Sequence, residues 1–278
     1  MMQLFDSTSY ECSKLITKRY STSFSLGIRA FDFELRQPIY NIYGFVRFAD
    51  EIVDTFHQQD KALLLEEFRN ATFVAIERGI SLNPILHSFQ HTVNKYSINH
   101  EHISAFLDSM EMDLHDITYD SNTLKKYIYG SAEVVGLMCL QVFCQGDRQS
   151  YNSLEAYAIS LGSAFQKINF LRDLKADFLE KGRVYFPEVD FNNFSTAEKA
   201  AIETDIKKEF DHALIGIKRL PKGARLGVFL AYRYYLSLFS KIKKAPATTI
   251  LQERVRISNG KKMFLFVISS IKNRLNIL

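Results

Sequence analysis

Asp50 and Asp54 stand four residues apart in "RFADEIVDTF", directly after a run, "PIYNIYGFV", that is mostly apolar and aromatic. On a helix this spacing puts both carboxylates on one face, about 6 Å apart along the axis. Like charges so placed destabilise the helix, more so when withdrawn from water, unless a cation sits between them. Carboxylate oxygens without His or Cys partners suit Mg²⁺, which keeps waters and shares phosphate oxygens. Alone, an Asp-x-x-x-Asp pair is common on solvated faces and decides nothing. A second set changes the reading. In "FQKINFLRDLKADFLEKGRVYFP", Asn169, Asp173 and Asp177 recur every four residues, again one helical face of oxygen ligands. Two such helices facing each other across a cavity can hold several Mg²⁺ ions, with Mn²⁺ as a substitute, around one or two diphosphates. Arg47, Arg172 and Arg183 supply further positive charge. Apolar residues between the acids then line the rest of the cavity, which suits a substrate with an anionic head and an apolar tail.

The elements that must position these residues are helices. The 278-residue chain is 47% hydrophobic, enough for a substantial core, and has only 5 Pro and 12 Gly, which fits long helices with short connections. Period and stop signals place helices at 7–20, 32–57, 60–79, 83–96, 100–116, 122–145, 151–179, 195–219, 223–243 and 258–275. "STAE" from Ser195 is a capping-box pattern and Asn83-Pro84 a cap followed by a first-turn proline, while residues 180–194 read as the clearest loop. With no linker and no fixed-period repeat, residues 1–278 read as one all-α domain.

Charge is uneven. From Lys218 onward there are 14 Lys and Arg against Glu253 alone, whereas residues 1–217 are net −9. An acidic body with a basic tail points to a polyanionic partner or an anionic membrane surface, a solvated helix face being the alternative. No nucleic-acid motif is present, so no nucleic-acid partner is expected, and phosphate-bearing small molecules or lipid come first. The basic, amphipathic end "KKMFLFVISSIKNRLNIL" suits peripheral attachment to an anionic membrane. Three cysteines without CxxC spacing read as free thiols in a reducing, cytoplasmic setting, and neither a signal peptide nor a spanning segment is expected. His87 and His91 have zinc-like spacing but no third ligand nearby in sequence, and their polar neighbours suggest a surface pair. Glu111, Asp113 and Asp116, with His115, read as helix-end electrostatics. Lys261 and Lys262 read as solvated or membrane-facing.

"RFADEIVD", "YIYGSAEVVGLM" and "NFLRDLKADFLEKGRVYFP" resemble the signature segments of the squalene/phytoene synthases, which condense prenyl diphosphates head to head. "STSFSLGIRAF", "FLDSMEMDL" and "AYRYYLSLFSKI" extend the likeness along most of the chain. The resemblance implies an isoprenoid-synthase-type helical bundle around a central apolar cavity. It also implies Mg²⁺-dependent condensation of two identical allylic diphosphates, with geranylgeranyl diphosphate and phytoene as the expected substrate and product. Farnesyl diphosphate, giving squalene or a C30 carotenoid precursor, is the alternative. By the same analogy Asp50 and Asp54 hold one side of the metal cluster, and Asn169, Asp173 and Asp177 the other. Arg47, Arg172 and Tyr185 map near the diphosphates, Tyr129 onto the cavity wall as a proton acceptor, and Ser21 and Ser23 onto a segment that closes over a diphosphate. Arg254, in "RVRIS", maps near the active site. Glu51 replaces the second Asp of many members, and Lys175-Ala176 replaces a common Gly-Glu. NADPH is not expected as a cofactor, although the absence of a GxGxxG motif does not bear on it. A monomer or weak dimer is expected. A terpene cyclase would not carry "GRVYFP" after the second acid set, and a non-catalytic helical relative would be expected to lose the metal-site carboxylates.

Overall fold

The computed structural model describes residues 2–115, 119–175, 185–186, 189, 194–252 and 254–274. Among the described residues there are only helices: α1 (Met2–Tyr20), α2 (Thr22–Arg29), α3 (Phe33–Thr55), α4 (Lys61–Arg78), α5 (Pro84–Tyr96), α6 (His100–Met112), α7 (Ser121–Ile128), α8 (Val134–Cys144), α9 (Arg148–Lys175), α10 (Thr196–Arg219), α11 (Lys222–Lys244), α12 (Ala247–Gln252) and α13 (Asn259–Arg274). A π-turn, Tyr129–Glu133, joins α7 to α8 without a break.

Local signals set the ends of these helices. Asn83 caps α5, its side chain accepting from the Ile85 and Leu86 amides, with Pro84 at the first position. Ser195 and Glu198 close the expected capping box on α10. The helix ending in the first acid pair, α3, buries Leu35, Ile39, Ile42, Phe45, Ala49 and Ile52, a three-and-four spacing that makes one continuous inner stripe. Phe45 lies flat on Phe89 of α5 at 3.9 Å between ring centres and near Phe68 and Phe106, which fixes α3 in the middle of its half of the core. The second half gathers on α9, α10 and α11 around Phe210, Ile168 and Leu238. The residues between the two halves form the site described below.

Two glycines let helices approach the π-turn more closely than any side chain permits. A Cβ on Gly130 would lie 1.9 Å from Ser109 Oγ and 2.2 Å from the Ala105 carbonyl of α6, and one on Gly162 of α9 would lie 2.8 Å from Glu133 Cα. The continuous helix Ser121–Cys144 is long and apolar enough to cross a membrane, but over half of that stretch is buried, against α6, α9 and α3. It is a core element of the bundle.

Most expected helices match within a few residues. Two short ones, α2 and α12, were not foreseen, and most of the expected loop at 180–194 lies outside the described residues. Cys12, Cys139 and Cys144 are unpaired, as expected, and burial pushes the Cys139 and Cys144 thiols up to about 12 and about 11.

Candidate active site

A cavity of about 420 Å³ opens where α2, α3, α9, α11 and α13 meet. Ser21, Ser23, Arg47, Asp50, Asn169, Arg172 and Arg254 all line it, so seven of the residues singled out in the sequence converge although up to 233 positions separate them. Each is placed by its own element. Ser21 caps α2, accepting from the Phe24 amide at 3.1 Å, which turns Ser23 and Phe24 toward the cavity.

On α3, Arg47 reaches Asp50 at 3.6 Å and also bonds Glu51 one turn on. Its guanidinium lies 4.5 Å above the Tyr20 ring, and its Nε is buried without a hydrogen-bond partner among the described residues. An unpaired N–H on a buried cation is a place where an anionic oxygen gains a full hydrogen bond. Withdrawal from water pushes the Asp50 carboxyl up to about 7 against the pull of Arg47, and Asp54, Asp113 and Glu51 add to the rise. Asp54 is exposed on the next turn of α3 and acts on Asp50 electrostatically, but it is not a lining residue.

On α9, Asn169 Oδ1 accepts from the Tyr235 hydroxyl at 3.2 Å, and Tyr235 in turn stacks on Phe165 at 3.8 Å. Asp173 takes two arginines. Arg172 donates from Nε at 3.1 Å and from Nη2 at 2.5 Å, and Arg254 donates from Nε at 2.7 Å, joining the loop after α12 to α9. Burial works against the Arg172 charge, but the contacts with Asp173 outweigh it and raise its pKa. Of the described charged residues lining the cavity, Arg47, Arg172, Arg254 and Lys262 are cations and Asp50 is the one acid, while Phe24, Leu26, Leu230 and Leu265 supply apolar wall.

Several expectations need correction. Tyr129 does not line this cavity: it is 37% exposed on the π-turn and faces Glu133, Glu155 and Glu101. The phenol buried at that level is Tyr127, which donates to Asp113 at 3.0 Å. Tyr185 is also not a lining residue, since it stacks on Phe170 at 4.0 Å within the core. Lys262, expected to be solvated or membrane-facing, is part of the cavity wall, 5.5 Å over the Tyr234 ring. Asp113, read as helix-end electrostatics, contributes to the field at Asp50. His87 is fully buried, not a surface residue, and α1 supplies the third group. The His87 Nδ1 accepts from the Ser81 amide at 3.3 Å, so its Nε2 carries the proton and donates to Asp6 at 2.8 Å, with His91 Nε2 at 3.5 Å from the same oxygen. That proton leaves His87 without a lone pair toward Asp6, and the trio ties α1 to α5. Asp177, Arg183 and Asp116 lie outside the described residues. Tyr43, Tyr234 and Tyr235 line the cavity without having been singled out. The signal for the last two was their place in "AYRYYLSLFSKI", which carried a family likeness but no role.

Residues 17–261 match the family model for squalene/phytoene synthase. The chain belongs to the squalene/phytoene synthase family. It is 25% identical to the 4,4'-diapophytoene synthase of Staphylococcus haemolyticus, over 91% of this chain and 93% of that one. It is also 25% identical to a phytoene synthase of Arthrospira platensis, over 96% and 94%. In three dimensions it is similar to a dehydrosqualene synthase crystallised with a ligand, with a TM-score of 0.79 at 18% identity over 97% and 98% of the two chains. The enzyme is therefore a prenyltransferase of isoprenoid biosynthesis that condenses prenyl diphosphates head to head.

The family generally uses a divalent metal with these substrates. The donors present fit Mg²⁺ by type: Asp50 and Asn169 offer hard oxygens to the same cavity, Asp173 adjoins it, and among the described residues no thiolate or imidazole lines it.

Proposed function

We propose that this enzyme joins two geranylgeranyl diphosphates head to head, through a cyclopropylcarbinyl diphosphate, to give phytoene. The observation that carries this reading is the cavity lining, among the described residues four cations and one carboxylate beside an apolar wall, which complements a diphosphate head on a hydrocarbon chain. Arg47, Arg172, Arg254 and Lys262 hold and orient the diphosphates, and the Arg47 Nε, which has no hydrogen-bond partner among the described residues, donates to a diphosphate oxygen. Asp50, Asp54, Asn169, Asp173 and Asp177 are the proposed metal ligands, and Mg²⁺ bound there supplies charge neutralisation of the departing diphosphate. Ser21 and Ser23, which line the cavity, and Arg183 are proposed to act on the diphosphate side.

In the first step one allylic C–O bond breaks, the C2–C3 double bond of the second substrate attacks, and loss of a proton closes the cyclopropane with release of one diphosphate. In the second step the cyclopropylcarbinyl C–O bond breaks, the cation rearranges to the 1–1′ linkage, and loss of another proton leaves phytoene. Both cations would be quenched by water, so Phe24, Leu26 and Leu230 serve to keep it out. Tyr43 and Tyr235 stay protonated because burial raises both phenols, so neither acts as a standing base, and the released diphosphate is the proton acceptor nearest to hand.

A second reading, farnesyl diphosphate going to a C30 product, is favoured by the likeness to the 4,4'-diapophytoene synthase. Incubation with each diphosphate and Mg²⁺, with and without NADPH, followed by mass analysis of the extracted hydrocarbons, separates them. A C40 product from geranylgeranyl diphosphate alone is expected. A C30 product only would replace the first reading by the second, and no hydrocarbon from either substrate would overturn both.

A further inference from the structure

Asn169 differs from the aspartates of the two motifs in having two unlike ends. Its Oδ1 carries lone pairs that a cation can take, whereas its Nδ2 only donates and turns a metal away. Which end faces the cavity therefore decides whether Asn169 is a ligand at all. Two side chains touch the amide: Nδ2 donates to Gln166 Oε1 at 3.3 Å, and Oδ1 accepts from the Tyr235 hydroxyl at 3.2 Å. Gln166 carries a donor and an acceptor of its own and fits either orientation by turning over with its partner, so it does not choose. Tyr235 does. Among the described residues Asn169 Oδ1 is the one acceptor its hydroxyl meets. Arg172, close enough to favour negative charge on the phenol oxygen, repels a proton turned its own way. With the amide reversed, two donors would face each other or the phenol O–H would lose its protein acceptor, at the cost of an unmade hydrogen bond.

We infer that Tyr235 is a positioning residue of the metal site: it holds the Asn169 amide with Oδ1 turned to the cavity, so that one lone pair takes the phenol proton and the other stays free for a divalent cation. The inference rests on the proposed ligand role of Asn169. The phenol is itself held in place. Its ring lies flat on Phe165 at 3.8 Å between centres and 14° between planes, and Tyr234 meets it edge-on at 5.6 Å. Phe165, Asn169 and Arg172 follow one another at spacings of four and three, so they share one face of α9. The ring from α11 thus rests on one turn of that face while its hydroxyl reaches the next, which fixes the direction from which the proton is given. Burial raises the phenol, so the proton stays on it through the neutral range. Groups that orient a metal ligand in this way commonly change metal affinity by about 10- to 100-fold when removed.

The test is a double-mutant cycle on metal binding without turnover, with Mn²⁺ and inorganic diphosphate as the probes and free Mn²⁺ followed by electron paramagnetic resonance. Y235F keeps the ring and its stack and removes only the donor. It is expected to weaken Mn²⁺ binding at least about tenfold, because the amide is then free to turn over. In an N169D background both ends of the side chain are oxygen and orientation no longer matters, so there Y235F should change Mn²⁺ affinity by less than about twofold. N169A checks the ligand role and should also lose at least about tenfold. If Y235F does not fold, F165L, which loosens the stack under the phenol and leaves the hydroxyl, carries the same comparison, with an expected loss of about threefold beside Asn169 and none beside the aspartate. An equal loss in both backgrounds would make Tyr235 a packing residue and overturn the inference, as would wild-type affinity in Y235F alongside a weakened N169A. Wild-type affinity in N169A would overturn the ligand role itself, and this inference with it.

Discussion

Asp50 is held in the folded enzyme at a cost in stability, and replacing it by Asn should make the metal-free protein more stable while abolishing turnover. Its carboxyl is raised from 3.8 to about 7. A folded-state pKa above the unfolded value means that the folded chain holds the proton more tightly. This group therefore contributes nothing below about pH 4, becomes progressively unfavourable as pH rises through 4 to 7, and stays so above. Three pKa units correspond to about 4 kcal/mol, and the 30% exposure of the side chain reduces the figure to about 2 kcal/mol by solvent screening. In a chain of this size that is a rise of about 4–6 °C in melting temperature. Arg47 keeps Glu51 as a partner, so the substitution does not strand a buried cation. Thermal melts of wild type and D50N in EDTA at pH 4.5, 6, 7 and 8 should show a difference near zero at the lowest pH that grows to a plateau by pH 8. A difference independent of pH, or a variant less stable than wild type at pH 8, would refute the assignment of repulsion and burial at this position. Turnover with Mg²⁺ should fall by at least about 10²-fold, because the variant removes a proposed metal ligand.

Arg254→Ala removes one of the two arginines on Asp173, so affinity for inorganic diphosphate, read by calorimetry, should fall about tenfold with little change in melting temperature, since Arg254 is half exposed. Gly162→Ala should lower stability by about 1–3 kcal/mol, because the new Cβ meets the backbone of Glu133 and Ala132 at 2.8 and 2.9 Å, and a chemical denaturation curve reads this directly. A non-hydrolysable diphosphate analogue together with Mg²⁺ should raise the melting temperature by more than the sum of the two alone, each supplying the other's missing charge. Simple additivity would count against one shared site.

The helices were legible because their signals are local. Ser195 with Glu198 and Asn83 with Pro84 mark starts that do not depend on the rest of the fold. The eight-residue α2 was missed because "TSFSLGIR" is too short for a periodic signal, and its cap, Ser21, had been read only for a substrate role. The motif residues that line the cavity were found by their spacing, which a helix preserves. Residues that reach it from a face without a motif, such as Tyr43 and Lys262, depend on how α3 and α13 are rotated about their axes, which tertiary packing decides. Tyr129 shows the converse. It stands at the head of the π-turn and is 37% exposed, and Tyr127, two residues before it and about 200° away around the helix, occupies the inner side.

The acids that interrupt the apolar run of α3 are matched by more than a metal site. Arg47 sits against Asp50 and Glu51, and Arg172 and Arg254 both donate to Asp173, so each half of the cavity pairs its carboxylates with guanidinium groups. Desolvating one charge without a partner costs several kcal/mol, and desolvating a pair costs less. The arginines thus allow the acids to be present in a bundle that must also stand empty between turnovers. Among the described residues the pairing is incomplete in two places, the raised Asp50 carboxyl and the Arg47 Nε without a partner, and these lie three residues apart on one turn of α3. An acid short of positive charge beside a cation short of an acceptor is satisfied by a cation and an anion arriving together. Removing the acid should therefore stabilise the empty protein and removing Arg47 should destabilise it, whereas both changes should abolish turnover. Opposite signs in stability with the same sign in activity separate a functional charge pair from a structural salt bridge, in which losing either partner destabilises the fold.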